Sequence, residues 1–511
     1  MDCYAAVDIG SNSIRMQAAE VTPSGETNII LSERQVTRLG ESVFRSGRLS
    51  QAAIEFACNV LASMAQKYRA ANVVAVRAVG TSALRDAGNQ DEFLRRASEV
   101  LGTHVEVISG LEEARLIFMG VQSRWPFPKG RLAIIDVGGG SAEIIVGENG
   151  HIAEAYSKKI GAVRMKEVFL KSEPPTMLEL AQLNEYIDQR LESVLKHLKQ
   201  KQFDRAVATS GTAASMLGAI NGISRSKRDK VDRLRASMTQ VRGFYDKVIA
   251  RDLEGRRKIT GIGPRRAEII VPGAAVLMHI MRELRLPQLH YTSAGLRDGI
   301  IADLVKRGVG KKPARLDTDR RDVVVGMAKR YAVDMTHVRK VAQVATQLFD
   351  STMPLHQLAP QYGGLLEAAA YLFDIGHFVS DTRHHRHSAY LVANSDLPGF
   401  TERERLMLAN LCRYHRKGMP APSHADFQVL DAEAKRAVLL LTPLLRLAAA
   451  LDQTHEQRVR AIDCNVQNGS VSLILRSNSD VKLEKWAAEQ VGDAFRQVYD
   501  RPLLIEKGRP M

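Results

Sequence analysis

Two stretches of this chain resemble each other closely enough to constrain its architecture. Residues 5–21 read AAVDIGSNSIRMQAAEV and residues 132–147 read LAIIDVGGGSAEIIVG. Each runs an apolar strand into an aspartate, turns through small residues and leaves on a second apolar strand, which predicts a pair of strands about a tight turn. The two aspartates, Asp8 and Asp136, lie 128 residues apart. A match at that spacing is an internal repeat of a domain-sized unit.

Between and after the repeats, helical patterns over 50–70, 89–101 and 177–201 alternate with strand-like runs at 73–79, 104–108 and 205–209. That alternation predicts α/β layers. With 511 residues the chain exceeds the roughly 250–300 at which one core stops growing, so several domains are expected. We divide it into halves 1–125 and 126–305 and a linker 306–321, rich in charge with Gly and Pro. A helical domain follows over 322–460, with loops at 351–363, 394–402 and 417–424 and a histidine-rich turn near 384. The end, 461–511, reads as a small α+β piece of two strands flanking one helix over 483–499.

Composition excludes some classes. Apolar residues make up 45% and charged residues 25%, the balance of a water-soluble globular protein. The longest apolar runs, 269–281 and 437–451, fall short of the roughly 18 residues a membrane span needs. The N-terminus lacks the pattern of an export signal, and Cys3, Cys58, Cys412 and Cys464 are scattered without a CxxC, so a reducing cytoplasm is the expected location.

Net charge is +15, and residues 225–266 alone hold fourteen basic and five acidic side chains, including Arg225, Lys227, Arg228, Lys230, Arg233, Arg235 and Arg256-Arg257-Lys258. Such a chain attracts polyanions. The basic stretch offers only Phe244 and Tyr245 for stacking, which argues against nucleic acid and for a polyanion without bases. No membrane partner is expected.

The turns themselves carry chemistry. Gly10, Ser11, Asn12 and Ser13, and Gly138, Gly139, Gly140 and Ser141, place successive backbone N–H groups around a concavity suited to an anion. Two such loops face to face would cradle a phosphate. Asp8, Asp136 and Glu143 would repel it unless a cation intervenes, and oxygen-only ligands favour Mg²⁺. Between the loops, 108–121 reads as a strand, a turn and a helix opening with Glu112 and Glu113. Glu112 suits the helix dipole, and a carboxylate such as Glu113, if it lies beside a bound phosphoryl group, can orient and deprotonate the attacking water.

Seven blocks in order (DIGSNS at 8–13, GTSALRDA at 80–87, ISGLEEARLIF at 108–118, DVGGGSAE at 136–143, SGTAAS at 210–215, RRAEIIVPG at 265–273 and SAGLRDG at 293–299) resemble the exopolyphosphatase and guanosine pentaphosphate phosphohydrolase family, strongly over 1–305 and more loosely beyond. The resemblance implies two actin-like (ribonuclease H-like) domains with the site in the cleft between them, Mg²⁺ as cofactor and a homodimer. It implies that Glu113 is the base and that Glu143 positions metal and water. Phosphate contacts are implied for Arg85, Arg266, Gly211 and Thr212, with Arg15 close enough to join them.

The helical domain resembles the metal-dependent HD phosphohydrolase fold, with His337, Asp374 and Asp452 at ligand positions. Phe373 stands where that pattern has histidine and cannot ligate, so a retained scaffold without hydrolase activity of its own is expected. His377, His384, His385, His387 and His415 read as hydrogen-bonding or surface groups, with a stray metal or anion as the other reading.

These features favour an exopolyphosphatase releasing orthophosphate from the end of inorganic polyphosphate. Guanosine pentaphosphate is the alternative substrate of the same site. A non-catalytic sensor is disfavoured by Glu113, and an ATP-dependent kinase by the want of a sugar pocket.

Overall fold

In the computed structural model the first repeat is an antiparallel hairpin of β1 (Asp2–Ile9) and β2 (Ser13–Val21), registered so that Asp8 faces Arg15. The described residues are 2–22, 26–224, 227, 232–307, 316–466 and 469–508. On one side of the hairpin β3 (Thr27–Val36) adds antiparallel; on the other, β4 (Ala75–Gly80) and β5 (Val105–Val107) add in parallel. The sheet order is β3-β2-β1-β4-β5.

The second repeat builds the same plan. Strands β6 (Arg131–Val137), β7 (Ala142–Glu148), β8 (His151–Lys158), β9 (Arg205–Thr209) and β11 (Gln288–Tyr291) take the order β8-β7-β6-β9-β11, and β10 (Arg235–Ser237) lies antiparallel on the edge. This is an α/β fold of two actin-like domains. The central strands are buried along nearly their whole length, because helices cover both faces; the clean polar alternation expected of the hairpins is therefore muted.

Helix caps mark where those helices begin. Ser50 accepts from Ala53 N at the head of Gln51–Ala70, and Ser109 from Glu112 N at the head of Gly110–Arg124. Helix Gly110–Arg124 follows β5 and helix Leu296–Lys306 follows β11, so they are counterparts, and they cross at two glycines. A β-carbon on Gly299 would strike the carbonyl of Leu116, and one on Gly120 the carbonyl of Gly295.

Beside this crossing runs a buried ion network. Arg77 reaches Asp303 at 2.8 Å and Glu112 at 3.2 Å, and Arg115 reaches both acids at 2.7 Å. Burial alone would raise Asp303, but Arg307, Arg115 and Arg77 overcome it and hold the carboxyl well below its usual range. Glu112 is thus a structural acid.

The chain forms two units, 1–310 and 311–511. Helix Leu296–Lys306 closes the first and Thr318–Arg330 opens the second; residues 308–315 of the linker reading lie outside the described residues. The second unit packs helices Met335–Ser351, Gln361–Leu372, His384–Ala393, Glu402–Tyr414 and Ala432–Ala450.

Its details differ from the sequence reading in four places. The loop expected at 351–363 contains helix Met353–His356 and the start of the next helix. The histidine-rich turn near 384 is the first turn of a helix. The single helix over 483–499 is two, Lys482–Glu489 and Gly492–Tyr499, interrupted before Gly492. The tail holds three strands, β12 (Ala461–Val466), β13 (Val471–Arg476) and β14 (Leu503–Lys507). They share one apolar core with the helices, from Leu348 and Leu444 to Leu473 and Phe495. A strand with so little pattern as AIDCNV is specified by its pairing with β13 rather than by its own residues. Among the described residues, no helix is long and apolar enough to cross a membrane.

Candidate active site

Each repeat closes its turn identically: Gly10 N donates to Ser13 O at 3.2 Å, and Gly138 N to Ser141 O at 3.0 Å. The turns then meet face to face. A β-carbon on Gly139 would lie 3.0 Å from Cβ of Ser11 and 3.2 Å from Asn12 N, and one on Gly140 would lie 2.7 Å from Ser11 Oγ. Only glycine allows this approach. The buried Ser11 hydroxyl has no hydrogen-bond partner among the described residues, an orphan of the kind a ligand satisfies.

Around the turns opens a cleft of about 420 Å³ lined by Asp8, residues 10–13, Arg15, Glu113, Asp136, residues 138–141, Gly211 and Arg266. Most of the side chains and turns singled out in the sequence are therefore brought together. Three stand behind the lining. Glu143 is only 1% exposed and accepts from Ser157 Oγ at 2.7 Å. Arg85 donates to Glu113 Oε2 at 3.0 Å and to Ile108 O at 2.8 Å. Thr212 is wholly buried and its hydroxyl donates to Val137 O, so its side chain serves the strand end.

On the cationic side, Arg15 and Arg266 converge over Gly211: a β-carbon there would strike the Arg266 guanidinium and lie 3.5 Å from Arg15 Nη2. Two guanidinium groups over a bare backbone suit an anion with several oxygens. The acidic side is strained electrostatically. Burial, then the charge of Glu113, pushes Asp136 up to about 7, against a hydrogen bond from Ser210. Glu143 is raised well above its usual value by burial, then by Glu113 and Asp136. Burial also raises Asp8 against Arg15 and Arg297, and Glu113 against Arg85. Four acids that repel one another in a buried cleft form a set that a hard divalent cation, or protons, would relieve.

Sequence reasoning missed Ser82, Thr209, Ser210 and Arg297 in the lining. Three blocks read as family marks, GTSALRDA, SGTAAS and SAGLRDG, contain Ser82, Ser210 and Arg297 and were the available signal. Ser157 had none, since it reaches Glu143 only through the β7–β8 register. The basic run also changes meaning. Arg225, Arg228 and Lys230 lie outside the described residues. Arg256 is buried, donates to Ala267 O and pairs with Glu173, while Arg257 pairs with Glu254 and Glu268. Among the described residues of 225–266, Arg266 alone lines the cleft.

In the second unit, His337 Nδ1 and Asp452 Oδ2 bond directly at 2.8 Å, with Asp374 3.8 Å from His337. The Phe373 ring packs edge-on against His337 and His415.

Two actin-like domains meeting at a pair of facing glycine turns with buried acids define a phosphoryl-handling enzyme of the actin-like superfamily, and the comparisons with known proteins narrow this to a hydrolase of phosphoanhydrides. The chain belongs to the Ppx/GppA phosphatase family, whose model matches residues 18–308, with the model of Ppx/GppA phosphatase domain III matching 320–489. It is 28% identical to the guanosine-5'-triphosphate,3'-diphosphate pyrophosphatase of Vibrio vulnificus, over 98% of both chains. It is 28% identical to the protein so named from Photobacterium profundum, over 88% of this chain and 86% of that one. The structure of the Aquifex aeolicus PPX-GPPA enzyme is 30% identical with a TM-score of 0.52, covering 59% of this chain and 99% of that one.

Proposed function

We propose that this chain hydrolyses the terminal phosphoanhydride bond of guanosine-5'-triphosphate,3'-diphosphate, releasing orthophosphate from the 5' end. The observation that carries the reading is Glu113 in the cleft wall beside the two facing turns, its carboxylate held by Arg85 at 3.0 Å. The full-length likeness to curated relatives bearing that substrate in their names supports the nucleotide over other anhydrides.

In this reading the backbone of residues 10–13 and 138–141 holds the terminal phosphate, and Arg15 and Arg266 bind the oxygens of the leaving chain. Glu113 accepts a proton from water as the oxygen attacks phosphorus, and the bond to the bridging oxygen breaks toward the leaving phosphate. Burial raises Glu113, and Arg85 opposes that shift, favouring the ionised form the step requires. The hard oxygens and unrelieved charge of Asp8, Asp136 and Glu143 suit a Mg²⁺, with Asp8 and Asp136 on the cleft wall and Glu143 behind it, although their ligand atoms do not gather within 4.8 Å of one another. Bound there, the ion would offset negative charge on the phosphates.

Inorganic polyphosphate is the second reading, favoured by the net charge of +15. Phosphate release from both substrates, with and without Mg²⁺, decides. Faster turnover of the nucleotide supports the proposal, and turnover of long polyphosphate alone rejects it.

A further inference from the structure

The helical unit holds a group of side chains that the cleft chemistry does not use. Asp374, His377 and His384 present ligand atoms all within 4.8 Å of one another, the one such group of three among the described residues. The buried His415 joins them, its Nε2 3.3 Å from His384 Nε2.

The hydrogen bonds of the rings decide where their protons are. His415 Nδ1 lies 2.7 Å from the carbonyl of Cys412, and His384 Nδ1 3.2 Å from the carbonyl of Asp381. A carbonyl only accepts, so both Nδ1 atoms carry the proton. His377 Nδ1 lies 2.7 Å from the carboxylate of Asp381, which likewise takes its proton. With the proton on Nδ1, the Nε2 of a neutral ring offers a lone pair.

These lone pairs surround one oxygen. His377, His384 and His415 Nε2 lie 3.7, 3.8 and 3.9 Å from Asp374 Oδ1. The 3.3 Å between His384 and His415 Nε2 matches the edge of a tetrahedron around a metal with bonds of 2.0–2.1 Å, about 3.3–3.4 Å, and the 3.7–3.9 Å from the three Nε2 atoms to Asp374 Oδ1 are a few tenths longer. Backbone carbonyls and a carboxylate orienting the far ring nitrogens are the outer support that histidine ligands use. Arg416 opposes a cation, but its Nη1 is nearly equidistant from the two ring nitrogens of His384, at 3.3 and 3.4 Å. That places it over the ring face, away from the lone pair.

We propose that Asp374, His377, His384 and His415 form a site for a d-block divalent cation such as Zn²⁺. The site clamps the turn after Asp374 to the head of helix His384–Ala393 and the tail of helix Glu402–Tyr414. Three imidazoles and one carboxylate select such a metal over Mg²⁺. The phenylalanine that blocks the expected ligand position leaves His337 and Asp452 bonded to each other, while Asp374 turns to a different set.

The test is titration of the full chain, stripped by chelator, with cobalt(II) in excess Mg²⁺. We expect the visible absorption of tetrahedral cobalt to saturate at about one ion per chain, to be displaced by Zn²⁺, and to raise Tm. His384→Gln/His415→Gln removes the absorption. His377→Gln, at a half-exposed position that the fold tolerates, weakens cobalt affinity at least about tenfold without lowering the metal-free Tm. His151→Gln, in the other unit, changes nothing. No saturable tetrahedral signal, or a signal unaltered by His377→Gln, overturns the proposal.

Discussion

Arg15 and Glu143 occupy matched positions in the two hairpins, Arg15 opposite Asp8 and Glu143 opposite Asp136. The duplicated backbone thus carries opposite charges at equivalent points. One half presents a guanidinium to the cleft, and the other buries an acid behind Asp136 and Glu113. In the proposed chemistry the first half would draw an anion, and the second a cation or an activated water.

Removing the base tests this division. Glu113→Gln keeps the size of the side chain and a hydrogen-bond acceptor for Arg85, so the fold and substrate binding should survive. Phosphate release should fall by roughly 10²–10⁴-fold, the usual contribution of a positioned base. Near-normal kcat in a steady-state assay removes Glu113 from the chemistry.

Arg15→Ala and Arg266→Ala probe the anion side. A charge-assisted hydrogen bond contributes about 1.5–3 kcal/mol, so each change should lower kcat/KM by roughly 10- to 100-fold, with little change in Tm. If KM and kcat both stay at the parent values, the guanidinium groups over Gly211 do not touch substrate.

The acids make stability depend on pH. Asp136 titrates near 7 when folded against 3.8 as a free side chain. The folded chain therefore binds this proton more tightly than the unfolded one, and the stabilisation is full below about 4 and is lost as pH rises through about 7. In chelator, the urea midpoint should fall over that window, and Asp136→Asn should flatten the fall. Mg²⁺ should raise Tm more at pH 8 than at pH 5. A midpoint rising with pH across this range contradicts the assignment.

Gly299→Ala tests the helix crossing. The added methyl meets the Leu116 carbonyl, a backbone atom that cannot swing aside. Overpacking of this kind costs about 1–3 kcal/mol, read as a lower denaturant midpoint. Gly243→Ala, where a β-carbon meets open space, should not destabilise. Equal stability of the two variants would mean the helices do not cross closely here.

The residues alone determined the duplication, both turns and their aspartates, and Glu113 at the head of a helix after a strand. These are local: strand periodicity, glycine in a tight turn and a serine cap depend on neighbours a few positions away. Phe373 likewise announced that the histidine cluster was not the expected ligand set. Tertiary structure alone decided that Ser157 holds Glu143, that Arg85 stands behind Glu113, and that Arg256 is buried beneath a run read as a charged surface. It also aimed three ring nitrogens at Asp374. Each of these depends on which strand pairs with which and which ring edge faces inward, and such long-range geometry leaves no period in the chain.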